Sequence, residues 1–495
     1  MIRRFWTGVG LAVALVASGA QAAPDVAKMT SGELTAFSRA MPKGGELHNH
    51  LSGAIFAETL LAWAVEDGLC INVKTLSVTP PCQPGEDLKP ASAIRTDEVL
   101  YAAMIDSFSV RHAGFRDRSG HDQFFGAFGR FGAAGARREG DMLANVVDNL
   151  ARQNTFYLEA MVTPQGVASR VKGAQVGWKG GDLAAQKAAN TAVGLEALVA
   201  VAMAETDVME ARARSLMRCG APDAMPGCQV TVRYLVQTSR AAPPEQTFAQ
   251  LQLGVALIAA DKRWVGLQMV APEDHPLSIT HYSLHMRMVD FLTDHGRTTK
   301  AALHAGELSM AYATPEELRY HIAEAVRVAG ARRIGHGVDL PLETDAEGLA
   351  AEMAAKGILV EVNLSSNDAI LGVSGQAHPY AWLRRRGVPV SLSTDDAGIL
   401  RIDLSHEYAR AADEGATYAD LRTSARNAIA FSFLTGEGLW ADPGAYRHPA
   451  KACARQIGKA EPKPGGCADL IAASDKAREQ WRHERLLATF EAAAR

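Results

Sequence analysis

The chain has 495 residues, 47% of them hydrophobic, and a formal net charge of -4 at pH 7. That length accommodates an α/β barrel with insertions and a large core. The near-balance of charge leaves no broad basic excess, which argues against a nucleic-acid backbone as partner.

At the N-terminus, Arg3 and Arg4 precede an apolar run over 8–17 and a small-residue site at Ala20-Gln21-Ala22. This is the layout of a secretory signal peptide over 1–22, cleaved before Ala23. The run is short for a bilayer span, so no stable membrane anchor is expected, and the mature protein is exported, periplasmic or secreted. Six cysteines fit that compartment. They form neighbouring pairs, Cys70 with Cys82, Cys219 with Cys228 and Cys453 with Cys467, each spanning a Pro- or Gly-containing stretch. Three loop disulfides are the favoured reading, although spacing alone leaves other connectivities open.

Strands are predicted at 45–50, 156–162, 230–237, 264–270, 301–304, 333–336, 358–364 and 388–393. Helical stretches lie between most of them, the clearest at 315–329, which opens on Thr314-Pro315-Glu316-Glu317 and closes at Gly330. Eight strands alternating with helices predict a (β/α)₈ TIM barrel, with 23–495 as one domain. A hundred or so residues separate the first two strands, more than a crossover helix needs. That gap, about 70–150, is expected to be a mostly helical insertion over the barrel mouth, with a Phe/Gly-rich stretch at 124–131. A loop and a charged helix over 472–494 form a C-terminal helical tail.

Four short motifs carry the chemistry. In Glu46-Leu47-His48-Asn49-His50, residues two apart on a strand share a side, so His48 and His50 project together. His304-Ala305-Gly306-Glu307 follows strand five, Arg333-Ile334-Gly335-His336-Gly337 ends strand six and Ser393-Thr394-Asp395-Asp396 ends strand eight. Each alone is unremarkable. Together they fall at the carboxyl ends of strands one, five, six and eight, the face where barrels place catalysis. Adjacent acids repel unless a cation or donor holds them, and imidazoles plus a carboxylate suit catalytic zinc. Strand four offers Gln268 and no lysine to bridge a second ion, so one Zn²⁺ per chain is expected.

These motifs resemble the adenosine deaminase family. Pro42-Lys43 with Glu46 to Leu51 matches its opening signature, and HAGE, RIGHG and STDD match in order over about 42–435. Export, Val265-Gly266-Leu267 with Pro272-Glu273-Asp274, and the segment 363–372 are similar to its secreted, growth-factor-related branch. The resemblance implies that His48, His50, His304 and Asp395 bind zinc and that Glu307 passes a proton to the purine N1. It implies that His336 orients the attacking hydroxide and that Asp396 holds N7. Three departures bear on the substrate: Ser52 stands where an aspartate often contacts ribose, Gln268 and Ala271 replace the aspartate and glycine of a DLxG-like segment, and Ala397 replaces a proline. Ser52 and the backbone amide of Ala271 remain substrate-binding candidates.

The activity so implied is zinc-dependent hydrolytic deamination of adenosine, and of 2′-deoxyadenosine, to the 6-oxo purine nucleoside plus ammonia, by hydroxide attack on C6. The substrate is a small purine nucleoside, nucleic acid is not expected as partner, and a homodimer is compatible with the sequence. Two alternatives stay open: a related mononuclear aminohydrolase acting on adenine, a modified adenosine or another cyclic amidine, and a catalytically silent extracellular nucleoside-binding protein.

Overall fold

The computed structural model describes residues 24–493 apart from 81 and 112–117; the signal peptide expected over 1–22 lies outside the described residues. Eleven strands are described: β1 Gly44–His50, β2 Cys70–Asn72, β3 Ser77–Thr79, β4 Leu88–Pro90, β5 Thr155–Val162, β6 Thr231–Ser239, β7 Trp264–Val270, β8 Ala302–Ala305, β9 Arg333–His336, β10 Leu359–Val362 and β11 Val390–Leu392. Parallel pairing runs β1-β5-β6-β7 in one sheet and β8-β9-β10-β11 in another. Parallel bridges Leu267–Ala301 and Asn49–Asp395 join the two sheets at both seams. The ring closes, and the fold is the (β/α)₈ barrel that the strand–helix alternation predicts.

All eight barrel strands match the expected positions, with ends shifted by two residues or fewer. Enclosure between side chains inside and helices outside leaves every residue of β1, β8, β9, β10 and β11 buried. The cysteines are bonded Cys70–Cys82, Cys219–Cys228 and Cys453–Cys467, as the sequential reading expects.

The stretch between β1 and β5 holds helices Ala57–Glu66, Glu98–Ser107, Gly120–Gly135 and Glu139–Ala151. It also contains a three-stranded antiparallel sheet, β3-β2-β4, absent from the mostly helical expectation. Those strands are three residues each, too short for a period-two pattern to register.

The helix expected over 315–329 is broken. A 3₁₀ turn, Glu317–Arg319, precedes an α-helix, His321–Arg327, with Tyr320 between them at φ -147°. Long-range contacts override the local signal. The Glu343 carboxylate accepts the N–H groups of Ile322 and Ala323 at 2.6 and 3.0 Å, capping the second segment, and Glu273 holds His321 Nδ1 at 2.6 Å.

The tail likewise divides into helices Gly466–Ala473 and Asp475–Ala493. At the break, Ser474 Oγ accepts the N–H of Ala477 and donates to the carbonyl of Glu437. The final helix crosses the amino ends of the strands: Glu479 accepts from Thr231 Oγ, Arg482 donates to the Gln229 carbonyl and His483 donates to that of Pro42. Among the described residues no helix is long and apolar enough to cross a membrane.

Candidate active site

The carboxyl ends of the strands open on a cavity of about 350 Å³. His50, His304, Glu307, Asp395 and Asp396 line it from the barrel side, together with Ser52 and Ala271. Phe124, Phe125 and Phe128 of helix Gly120–Gly135 close the opposite side. That helix is capped by Ser119, whose Oγ accepts the Asp122 N–H at 3.0 Å. The Phe/Gly-rich stretch therefore forms an apolar roof over the pocket.

The residues expected to act together meet here. His48 and His50 point inward from β1, and their Nε2 atoms lie 3.1 and 3.2 Å from His304 Nε2. Asp395 Oδ1 lies 3.4 Å from His48 Nε2 and 3.2 Å from His50 Nε2. These four separations lie near the ~3.3 Å between neighbouring ligands about 2.0–2.1 Å from a tetrahedral zinc ion, so these residues could hold a metal. His336 is also near enough to group with His48, His304 and Asp395, while His50 groups with Asp395 and Asp396. His50 Nε2 faces both His304 and Asp395, whereas His336 Nε2 lies 3.6 Å from Glu307 Oε1.

Buried partners on the far side of each ring fix these orientations. Glu361 Oε2 accepts from His48 Nδ1 at 2.7 Å, and Gln237 Oε1 accepts from His50 Nδ1 at 2.8 Å. Each leaves Nε2 free for a cation. Ser366 Oγ donates to Asp395 Oδ2 at 2.7 Å. The His304 backbone is clamped from both sides, its N–H by Gln268 Oε1 at 2.7 Å and its carbonyl by Arg240 Nη1 at 2.9 Å. The Glu273 carboxylate accepts the N–H groups of Gly306 and Glu307 at 3.1 and 2.9 Å. Burial alone would raise its pKa, but Arg240 and His321 outweigh burial and draw it down to about 2.

Electrostatics separate the acids by role. Burial pushes the Glu307 carboxyl well above the usual range, and the Asp395 charge adds to the effect. Asp395 moves the other way, because hydrogen bonds from His48 and His50 outweigh its burial. Burial holds His304 well below its usual pKa, in the neutral form a metal requires. Asp396 is raised by burial, and its Oδ1 has no protein partner.

Two glycines are required by close approach. A Cβ at Gly53 would lie 1.5 Å from Asp396 Oδ1, and one at Gly335 would lie 2.6 Å from His48 Cε1. Three site residues adopt left-handed backbone: Ala271 at φ 88°, His336 at 67° and Asp395 at 60°. Non-glycine residues rarely do so, and such strain gathers at functional sites. The Ala271 turn is held by Arg240 Nε, which donates to its carbonyl at 2.8 Å.

Sequence motifs did not reveal Gln237, Arg240, Glu361, Ser366, Asn367 or His378. Glu361 did leave a signal, a lone acid in the apolar run of β10. Asn367 lies in the segment 363–372 already singled out, while Gln237 and Arg240 had none.

The adenosine deaminase family model matches residues 140–439. An adenosine deaminase of Serratia proteamaculans is 38% identical over 151 residues, 29% of this chain and 42% of the relative. The chain spans about half the length of the first curated relatives it matches, 42% and 55%. Among solved structures, an Arabidopsis N6-methyl-AMP deaminase superposes with TM-score 0.52 at 21% identity, covering 80% of this chain and 95% of that one. A zinc-containing amidohydrolase from Burkholderia ambifaria gives TM-score 0.53 at 19% identity, covering 82% and 90%. The structural likenesses carry the barrel fold, and the family match extends through β5 to β11, the strands bearing three of the four motifs. With its motifs converging on one buried pocket, the chain belongs to the adenosine deaminase family.

Proposed function

We propose that this chain hydrolyses the 6-amino group of adenosine and 2′-deoxyadenosine, yielding the 6-oxo nucleoside and ammonia, with one zinc ion held by His48, His50, His304 and Asp395. The carrying observation is a single pocket in which that donor set faces Glu307 and Asp396 beneath three phenylalanines. A bound zinc ion supplies hydroxide at neutral pH.

The chain's own residues do the rest. Glu307 donates a proton to the purine N1 as oxygen adds to C6, so the ring nitrogen accepts the displaced electron pair. Well-placed acids contribute on the order of 10² to 10⁴ in rate. Asp396, kept protonated by burial, donates from its unpartnered Oδ1 to N7, and His336 hydrogen-bonds the attacking oxygen. The Glu307 carboxylate, freed of its proton, then takes the proton of the added oxygen and passes it to the amino nitrogen, and the C6–N bond breaks to release ammonia and leave the 6-oxo ring. The roof of Phe124, Phe125 and Phe128 covers the sugar side and keeps bulk water out.

The same lining favours a nucleoside over a nucleotide. Among the described residues it contains no lysine or arginine and three carboxylates, Glu307, Asp395 and Asp396. A phosphate monoester needs cationic or N–H partners, and this lining offers it no lysine or arginine. Residues 1–22 fit this reading as a cleaved export signal, with 23–495 as the mature single domain, and the three disulfides support an oxidising compartment.

The test is the absorbance of zinc-loaded protein with adenosine, AMP and adenine in turn. Adenosine should convert to the hypoxanthine chromophore, conversion should stop with a chelator and return with zinc, and AMP should stay unconverted. Turnover of AMP or adenine without adenosine would overturn the substrate assignment.

A further inference from the structure

His336 is held by a hydrogen-bonded chain that runs away from the pocket. Asn367 Nδ2 lies 2.9 Å from His336 Nδ1, with Asn363 Nδ2 at 3.4 Å from the same atom. His378 Nε2 lies 3.0 Å from Asn367 Oδ1, and the backbone N–H of Tyr380 points at His378 Nδ1 at 3.1 Å. His336, Asn363, Asn367 and His378 are all buried.

The far end of the chain decides the near end. A backbone amide can only donate, so His378 Nδ1 accepts and the ring's proton sits on Nε2. That N–H requires an acceptor, which makes the facing atom of Asn367 its oxygen and turns its NH₂ toward His336. His336 Nδ1, facing two amide donors, is then the bare nitrogen. The His336 proton lies on Nε2, the atom on the Glu307 side, which has no hydrogen-bond partner in the protein. Burial keeps His378 neutral, its pKa drawn down to about 3, so the relay holds across the neutral range.

We propose that Asn367 and His378 are positioning residues that lock His336 as an Nε2–H donor, committing it to hydrogen-bond the attacking oxygen and barring it from acting as that oxygen's base. A neutral ring with its proton already on the pocket side has no lone pair there to receive another. The functional half of this inference rests on the role proposed for His336; the tautomer does not.

The tautomer is read first, without substrate, in zinc-loaded protein labelled with ¹⁵N-histidine, the His336 signals being identified by their loss in His336→Gln. The expected pattern is a bare Nδ1 and a protonated Nε2. Asn367→Leu should release it to a mixture of tautomers and lower kcat about 10- to 100-fold, with zinc per chain unchanged and KM within about threefold. His378→Phe, which removes the donor to Asn367, should act in the same direction and serves if Asn367→Leu fails to fold. A proton on Nδ1 in the unsubstituted protein overturns the inference. So does a fall in kcat with the Nε2–H pattern intact, which would mark a packing role. Failure of adenosine as substrate would leave the tautomer result standing and count against the proposed function alone.

Discussion

The two ends of the barrel bury charge in opposite ways. Toward the closed end, Arg333 is paired with Glu361 and Glu159, each at 2.6 Å, and stacks over Phe433 at 4.0 Å. Glu159 Oε1 also accepts from the Tyr157 hydroxyl and the Phe433 N–H. The final helix covers this end, with Arg426 and Glu484 joined by two hydrogen bonds at 2.8 and 2.7 Å. At the open end, imidazole Nε2 atoms meet at 3.1 and 3.2 Å beside the Asp395 carboxylate, and Asp396 Oδ1 and His336 Nε2 lack hydrogen-bond partners. Buried polar groups without partners cost stability, and at the mouth a bound metal ion and substrate would supply the missing partners. The closed end holds the ring together, and the open end keeps unmet valence ready.

Substitutions at the two ends should therefore fail in different ways. His304→Ala should have the largest effect, losing bound zinc and turnover together; metal analysis beside an adenosine assay checks this, and a metallated, active variant would break the ligand set. Glu307→Gln should retain zinc and lose about 10²- to 10⁴-fold in kcat, because the amide cannot supply the N1 proton. At the other end, Glu484→Gln should cost about 2 kcal/mol in denaturant unfolding while kcat per folded molecule stays within about threefold, since it removes the carboxylate that holds Arg426 under the final helix and touches no residue of the pocket. A large kcat loss without destabilisation would erase the distinction between the ends.

The smallest effect sharpens the comparison by placing an uncompensated group away from both ends. His285, in helix Pro276–Thr293, is fully buried with neither ring nitrogen partnered. Burial, with His281 and Arg240 adding repulsion, draws its pKa down from 6.5 to about 3. Between those values the unfolded chain binds the proton and the folded one does not, so stability rises with pH and is lost as pH falls below 6.5. His285→Leu removes that contribution. Between pH 8 and pH 5 the unsubstituted protein should lose about 2 kcal/mol more than the variant, read from paired urea titrations. Equal pH dependence would show that His285 is not a buried neutral group.

The barrel was legible because its strands are short apolar runs fenced by Gly, Pro and polar residues, a pattern that needs no distant partner to be seen. Most metal-site candidates were legible for a related reason, since catalytic side chains gather at strand ends in compact motifs. His48 and His50 share a face by the two-residue repeat of a strand alone. The helix over 315–329 was misread because its capping signal at Thr314 is genuine, and Glu343 with Glu273 then reset the chain at Tyr320. The small sheet β2–β4 was missed because three-residue strands carry no periodicity.

What the sequence by itself determined is the order of elements, the chemical type of each donor and the pairing preference of the cysteines, all carried by neighbours in the chain. Only the tertiary structure decided that Phe124, Phe125 and Phe128 roof the pocket and that Glu361 and Gln237 turn His48 and His50 toward one point. It also decided that a backbone N–H at Tyr380 sets the proton on His336. Those relations join residues from 44 to more than 300 positions apart, and hydrogen bonds and packing across such separations exist only once the barrel has closed.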